Sequence, residues 1–274
     1  MKFTNIAQIH GGQDGAIWGK QLFRFEGNGH CHVYALDTLE KVSDFYFDGI
    51  DAWMPHSNAV TFGCEYYAEG DEFPLLYTNV YNTYAKEADR RVGVCCVYRI
   101  TRMAGSFCGQ LVQTIAIGFT EDTTLWSSEG GDIRPYGNFT IDREKGIYYG
   151  FTMRDGHDAT RYFAFRLPKL ADGTAVTLQP EDIISSFDCP YHRFIQGACT
   201  YRGKIISLEG FTNDGVNPPG IRIIDPEKGQ QLCYVRTADY GMEHEPEMID
   251  FRDDVCYCSD CHGNLFIIEE IEYV

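Results

Sequence analysis

The stretch Glu245-Pro246-Glu247-Met248-Ile249-Asp250-Phe251, followed by Val255-Cys256-Tyr257-Cys258-Ser259 and Gly263-Asn264-Leu265-Phe266-Ile267-Ile268, reads as three short strands joined by tight polar turns. Apolar residues alternate with polar ones, the period of a strand, and each run ends in turn-forming residues. A polar residue, Glu247, opens the unit. The same order of polar opener, alternating strand, turn and aromatic strand recurs four times upstream.

The first copy opens at Asp14 and continues through strands near 15–19, 21–25, 30–36 and 42–47, with Gly27-Asn28-Gly29 as a hairpin turn. Asn-Gly suits such a turn because it tolerates positive φ angles. The second opens at Asn58 and the third at Asn138, whose fourth strand falls somewhere in 183–187. The fourth opens at Gln196. The last copy, the one quoted above, stops after three strands, while residues 2–9 alternate like a strand with no partner nearby. Placing that spare strand on the short copy closes a ring and removes two exposed sheet edges.

The expected fold is therefore all-β: a five-bladed β-propeller of four-stranded antiparallel blades, closed by the N-terminal strand joining the C-terminal blade. The blades span approximately 12–49, 50–119, 132–190, 191–240 and 243–274 plus 2–9, in a single domain. Repeats of roughly 40–80 residues suit a propeller. A two-sheet sandwich is the alternative, but it leaves the missing strand and the spare strand unexplained.

Composition agrees with a β-rich domain. The 274 residues can bury a substantial core, and 18 Tyr, 18 Phe and 28 Gly favour strands and turns. A net charge of −17 argues against nucleic acid and against an anionic membrane as partner, because like charges repel over the whole surface. The 11 cysteines include adjacent Cys95 and Cys96 and alternating Cys256 and Cys258, spacings that suit free thiols. The N-terminal residues lack an apolar signal core, and a cytoplasmic location is expected, with secretion as the alternative if a leader has been removed.

In a propeller the first strand of each blade lines the central channel. The five openers, Asp14, Asn58, Asn138, Gln196 and Glu247, are thus expected to face one another, and each carries a side-chain oxygen. Such a ring has two readings. Hydrated polar rings fill channels because buried polar groups need partners. Alternatively, convergent oxygens suit a hard cation, so Asp14, Asn58, Asn138, Gln196 and Glu247 are candidate ligands for Ca²⁺ or Mg²⁺. Two positions upstream of the openers lie Gly12, His56, Tyr136, Phe194 and Glu245. With His244 they crown the mouth, so a small polar ligand such as a carbohydrate is expected at His56, Asn58, Tyr136, Asn138, Gln196 and His244.

Other motifs carry less. Cys256, Cys258, Cys261 and His262 spell C-x-C-x-x-C-H, but no second half-site follows, and small apolar packing explains such cysteines. None of the cysteines is expected at the mouth. His30 and His32 share one face of a strand and could chelate a metal if a third ligand were present. Gly11-Gly12-Gln13-Asp14-Gly15 opens a strand rather than a helix, which removes the geometry of a phosphate loop.

Trp53-Met54-Pro55, ahead of the second blade, resembles the Trp-Ala-Pro stretch of the arabinanase- and xylosidase-like five-bladed glycosidases, and Asp14 is placed like their catalytic base. That resemblance implies an acidic residue at the head of blade three and a glutamate at blade four, where this chain has Asn138 and Gln196. Glycoside hydrolysis requires two carboxyl groups, and an amide serves as neither. A hydrolase would have to use Asp14 with Glu247 or Glu245. A protein-interaction scaffold using loops 84–91, 120–135 and 211–220 is the third reading.

Overall fold

The computed structural model describes residues 1–80, 94–117, 138–152, 159–190 and 195–273. Blade one is a meander of β2 (Gly15–Trp18), β3 (Gln21–Phe25), β4 (His30–Ala35) and β5 (Lys41–Tyr46). Blade two comprises β6 (Pro55–Phe62), β7 (Leu76–Val80), β8 (Val94–Met103) and β9 (Ser106–Ile117). Blade three comprises β10 (Phe139–Asp142), β11 (Ile147–Thr152), β12 (Ala159–Arg166) and β14 (Ile183–Pro190). Blade four runs β15 (Ile195–Tyr201), β16 (Lys204–Glu209), β17 (Gly220–Asp225) and β18 (Gln230–Arg236). Blade five holds β19 (Pro246–Arg252), β20 (Val255–Asp260) and β21 (Asn264–Glu269), completed by β1 (Lys2–Gln8).

The clasp expected of the termini is present. β1 pairs antiparallel with β21 from Lys2↔Glu269 to Gln8↔Asn264, and the Ile9 amide continues the clasp by donating to the Gly263 carbonyl at 2.8 Å. Phe3 stacks on Tyr240 with centroids 5.2 Å apart, so the added strand also covers an aromatic surface.

Because every blade is sandwiched between two others, both faces of its inner strands are buried. This explains why the strands are so rich in apolar residues. The core is divided among the blade interfaces. Phe23, Phe25 and Phe47 of blade one meet Phe62, Phe73 and Tyr98 of blade two. Tyr77 and Val97 meet Phe139, Tyr148 and Phe165 across the next interface. Phe151 and Tyr162 meet Ile205 and Ile224 between blades three and four. Leu208 and Ile223 meet Ile249, Cys256 and Cys258 between blades four and five. Ile17 and Leu22 meet Met248 and Leu265 where the ring closes. The short helix α1 (Ile50–Trp53) lays Trp53 against the first of these clusters, immediately before Pro55 starts β6.

Two local features depart from the sequence reading. Between β12 and β14 the chain makes β13 (Ala175–Leu178), which pairs parallel with β9 and gives blade two a fifth strand. This caps an outer edge that would otherwise present unpaired backbone groups. In the blade-one hairpin, Gly29 alone takes a left-handed φ of 76°, and its amide donates to the Glu26 carbonyl at 3.2 Å. The Gly27-Asn28-Gly29 turn is thus closed by a left-handed glycine alone, with Asn28 outside the positive-φ region that Asn-Gly was expected to supply. Among the described residues no helix is long and apolar enough to cross a membrane.

Candidate functional site

The first strands β2, β6, β10, β15 and β19 succeed one another around the axis, and β6 also approaches β15 across it. All five opening residues are withdrawn from solvent, with Gln196 the least covered. Their chemistry divides the ring into a neutral arc and a charged arc.

The neutral arc is a relay of amides. Asn79, the residue of β7 that faces the channel, donates through Nδ2 to Asn58 Oδ1 and, at 3.4 Å, to Asn138 Oδ1. Its own Oδ1 accepts from the Ala59 amide at 3.1 Å. Asn138 Nδ2 donates onward to the Ile195 carbonyl at 2.5 Å. Blades two, three and four are stitched together in this way.

The charged arc joins blades five and one. Asp14 accepts from the Gly15 amide at 2.8 Å and from the Val60 amide of blade two at 2.7 Å, so each of its oxygens already holds a donor. Burial pushes its carboxyl well up, against those two amides and Arg24. Glu247 is buried too. Burial, then the neighbouring Glu245, raises its carboxyl, with Arg24 opposing, and its Oε2 has no hydrogen-bond partner among the described residues. A buried carboxylate without donors favours its protonated form for lack of solvation.

Arg24 is the member of this arc that the alignment of blade heads missed. It lies on β3, fully buried, and donates through Nη2 to the Asp260 carbonyl at 3.2 Å. Its Nε and Nη1 have no hydrogen-bond partner among the described residues. Burial lowers its pKa, while Glu247, Asp14 and Glu26 pull it back up. A guanidinium remains charged under such pressure. Room for its stem comes from Gly11, which has a φ of 116° and would place a Cβ only 2.1 Å from Arg24 Cγ. The sequence did carry a signal: in Leu22-Phe23-Arg24-Phe25 a charge interrupts a strand whose two faces are both core.

Above the buried ring lies a more accessible layer. Glu245 is half-buried, and its Oε1 accepts a hydrogen bond from Gln196 Nε2, linking blades five and four. Burial pushes the Glu245 carboxyl up to about 7, with Gln196 pulling the other way. Cys261, contrary to the sequence reading, belongs to this group: its amide donates to the Glu245 carbonyl at 2.8 Å. Burial, then Glu247 and Glu245, push its thiol up to about 11, which keeps it protonated and unreactive at neutral pH. Cys256 and Cys258 are buried in the blade interface, in the small apolar role expected of them.

His56 is half-buried, and burial lowers its pKa. Its ring packs over Gly27, within 3.5 Å of where a Cβ would be. His244 stacks on His262, centroids 4.1 Å apart, on the blade-five side. Tyr136, His192 and Phe194 lie outside the described residues, as do loops 84–91 and 120–135. Toward the other end of the first strands, a cavity of about 230 Å³ is lined by Arg143, Arg202 and Asp250 among others. Asp250 there accepts from the Ile17 amide at 2.7 Å and lies 3.6 Å from Arg143.

No protein-family model matches this chain, and no curated protein matches it by sequence. Solved structures do match in shape. Myxococcus xanthus glutaminyl cyclase aligns over 97% of both chains at 11% identity with a TM-score of 0.51. Kuenenia stuttgartiensis hydrazine synthase aligns over 89% of this chain and 60% of that one, at 10% identity and a TM-score of 0.45. The glutaminyl cyclase likeness does not single out the arabinanase- and xylosidase-like glycosidases. At such identities a shared fold leaves chemistry open. The chain is a five-bladed β-propeller with a neutral and a charged arc around its axis.

Proposed function

We propose that the protein binds a small polar ligand at the axial mouth, over the Gln196–Glu245 pair. The observation that carries this reading is Glu245: a solvent-reachable carboxyl, poised near neutrality by burial, standing beside the buried Glu247. Such a group accepts from a hydroxyl or an ammonium when ionised and donates when protonated. The ligand class is therefore one rich in hydroxyl or amino groups, such as a carbohydrate or amino sugar, with His56 and His244 at the rim. In this reading Arg24 is the cation of the channel. A Ca²⁺ ion held by Asp14, Asn58, Asn138, Gln196 and Glu247 would have to displace the amide donors now on Asp14 and Asn58. Added Ca²⁺ should accordingly leave the melting temperature unchanged in the presence of an intact Arg24.

The experiment is a thermal-shift and calorimetric panel of mono- and oligosaccharides, amino sugars and polyols, run on the parent protein and on Glu245→Gln. At least one compound should raise the melting temperature of the parent and lose that effect in the variant. A panel without any shift, or shifts equal in both proteins, would sink the reading.

A hydrolase is the second reading, because a carboxyl near 7 is in the range of a general acid. Glu245 would donate the proton, with Asp14, whose two amide donors favour its ionised form, as the second carboxylate. Aryl glycosides are the first substrates to test, and a glutaminyl peptide belongs beside them given the fold shared with a glutaminyl cyclase. Turnover should vanish in Glu245→Gln; no turnover on any substrate removes this reading. The scaffold reading predicts pull-down partners indifferent to Glu245→Gln.

A further inference from the structure

Outside the axial mouth, the hairpin of β4 and β5 holds a cluster that the ligand site does not use. His30 and His32 are two residues apart on β4, so both rings project from one face. The register of the hairpin then sets Asp44 opposite His32 and Tyr46 opposite His30. This supplies the third group that the sequence alone could not identify. One ring nitrogen from each histidine and one Asp44 oxygen lie within 4.8 Å of one another. His30 Nε2 is 3.6 Å from Asp44 Oδ1, and the two imidazole centroids are 4.4 Å apart.

We propose that His30, His32 and Asp44 form a binding site for a late first-row divalent metal ion, with zinc the natural occupant. The surroundings are those of a built site. His32 is only 8% exposed, and its Nδ1 and His30 Nε2 are buried atoms with no hydrogen-bond partner among the described residues. Among the described residues His30 Nε2 has only the Asp44 carboxylate, beyond hydrogen-bond distance, and His32 Nδ1 has no polar partner; a buried ring nitrogen left so is costly unless something fills its lone pair. Tyr46 stacks on His30 with centroids 4.3 Å apart and planes 8° from parallel, which fixes that ring. Glu26 Oε1 stands 3.4 Å from His32 Nε2, close enough to orient that ring or to approach the ion's fourth position.

The donor set selects the class of ion. Two imidazoles and one carboxylate suit zinc, nickel or copper, whereas Ca²⁺ and Mg²⁺ prefer oxygen alone. Bonds of about 2.0–2.1 Å in a tetrahedron put ligand atoms roughly 3.3 Å apart, so atoms that lie within 4.8 Å of one another have to close by at most about 1.5 Å through side-chain rotation. One neighbour opposes binding: Lys41 Nζ lies 2.5 Å from Asp44 Oδ2. It holds the other carboxylate oxygen and leaves Oδ1 toward the histidines.

The test uses Co²⁺ as a spectroscopic stand-in on protein stripped with EDTA, because 11 cysteines could also attract a metal. One equivalent should develop visible d–d bands without the near-ultraviolet charge transfer that thiolate ligands produce, and Zn²⁺ should displace it. His30→Gln and Asp44→Asn should each weaken Zn²⁺ affinity by more than about tenfold. His262→Asn, on another blade, should leave affinity unchanged. Asp44 is exposed, so its variant keeps the test sound even if the histidine variant folds poorly. No stoichiometric Co²⁺ spectrum, thiolate charge transfer, or an affinity unchanged in Asp44→Asn would each overturn the proposal.

Discussion

Replacing Arg24 by Met is the sharpest perturbation of the channel, since the change keeps most of the side-chain volume and removes the charge together with the hydrogen bond to the Asp260 carbonyl. Arg24 is fully buried, with Glu247 as its strongest electrostatic partner and Asp14 next. Removing one member of a buried charge set leaves the others uncompensated, at a cost of about 3–5 kcal/mol. Here the cost is limited by an escape route: Glu247 can take up a proton. Its carboxyl is already raised by burial, and losing Arg24 raises it further. A carboxyl raised in the folded state contributes stability at pH values below its unfolded value and loses it as pH rises through the folded value. The deficit of Arg24→Met should therefore be small near pH 5 and grow toward pH 8, where a loss of about 3 kcal/mol or more lowers the melting temperature by on the order of 10 °C. Urea titrations at several pH values measure this directly. The double variant Arg24→Met/Glu247→Gln should recover much of the loss. A deficit below about 1 kcal/mol at pH 8, or one that shrinks as pH rises, would refute the assignment of Arg24 as the counter-charge.

Three further outcomes are expected. Asn79→Ala strips partners from Asn58, Asn138 and the Ala59 amide, and should cost about 2–4 kcal/mol in chemical denaturation. Gly11→Ala combines a φ of 116° with a Cβ 2.1 Å from Arg24 Cγ, and should lower stability by at least about 2 kcal/mol, while Gly19→Ala, with a φ of 57° but open space around it, costs less. In blade four, Arg222 donates to both oxygens of Glu209 at 2.7 Å, both side chains being buried; Arg222→Met should cost about 3–5 kcal/mol, with Arg222→Met/Glu209→Leu restoring most of it.

The ring of blade heads was legible because period-two alternation fixes which residue of each first strand faces inward, and five copies supply the alignment. The terminal clasp was legible because a strand count leaves one blade short and one strand spare. Pairings between elements were not. Asn79 and Arg24 reach the axis from second strands, where a polar residue announces burial without naming its partner. Cys261 arrives beside Glu245 through a turn whose course depends on backbone hydrogen bonds. Asp44 meets His32 only once the hairpin register is known, and that register contains a shift between Val33 and Tyr34. β13 is four residues long within a polar excursion, too short for its alternation to stand out. The glycosidase-like features divide similarly. Trp53 packs into a blade interface and Asp14 holds two backbone amides, so both are accounted for by folding alone.

Burial beside the charged arc pushes the Glu245 carboxyl at the mouth up to about 7. Carbon-13 NMR titration of glutamate-labelled protein, with Glu245→Gln to assign the resonance, measures it most directly. Glu245 should titrate near about 7 rather than at its ordinary 4.5, and Gln196→Ala should move it higher, because the Gln196 hydrogen bond favours the ionised form. A midpoint at the ordinary carboxylate value would mean that burial does not shift Glu245 and that the mouth holds no carboxyl poised to bind in both protonation states.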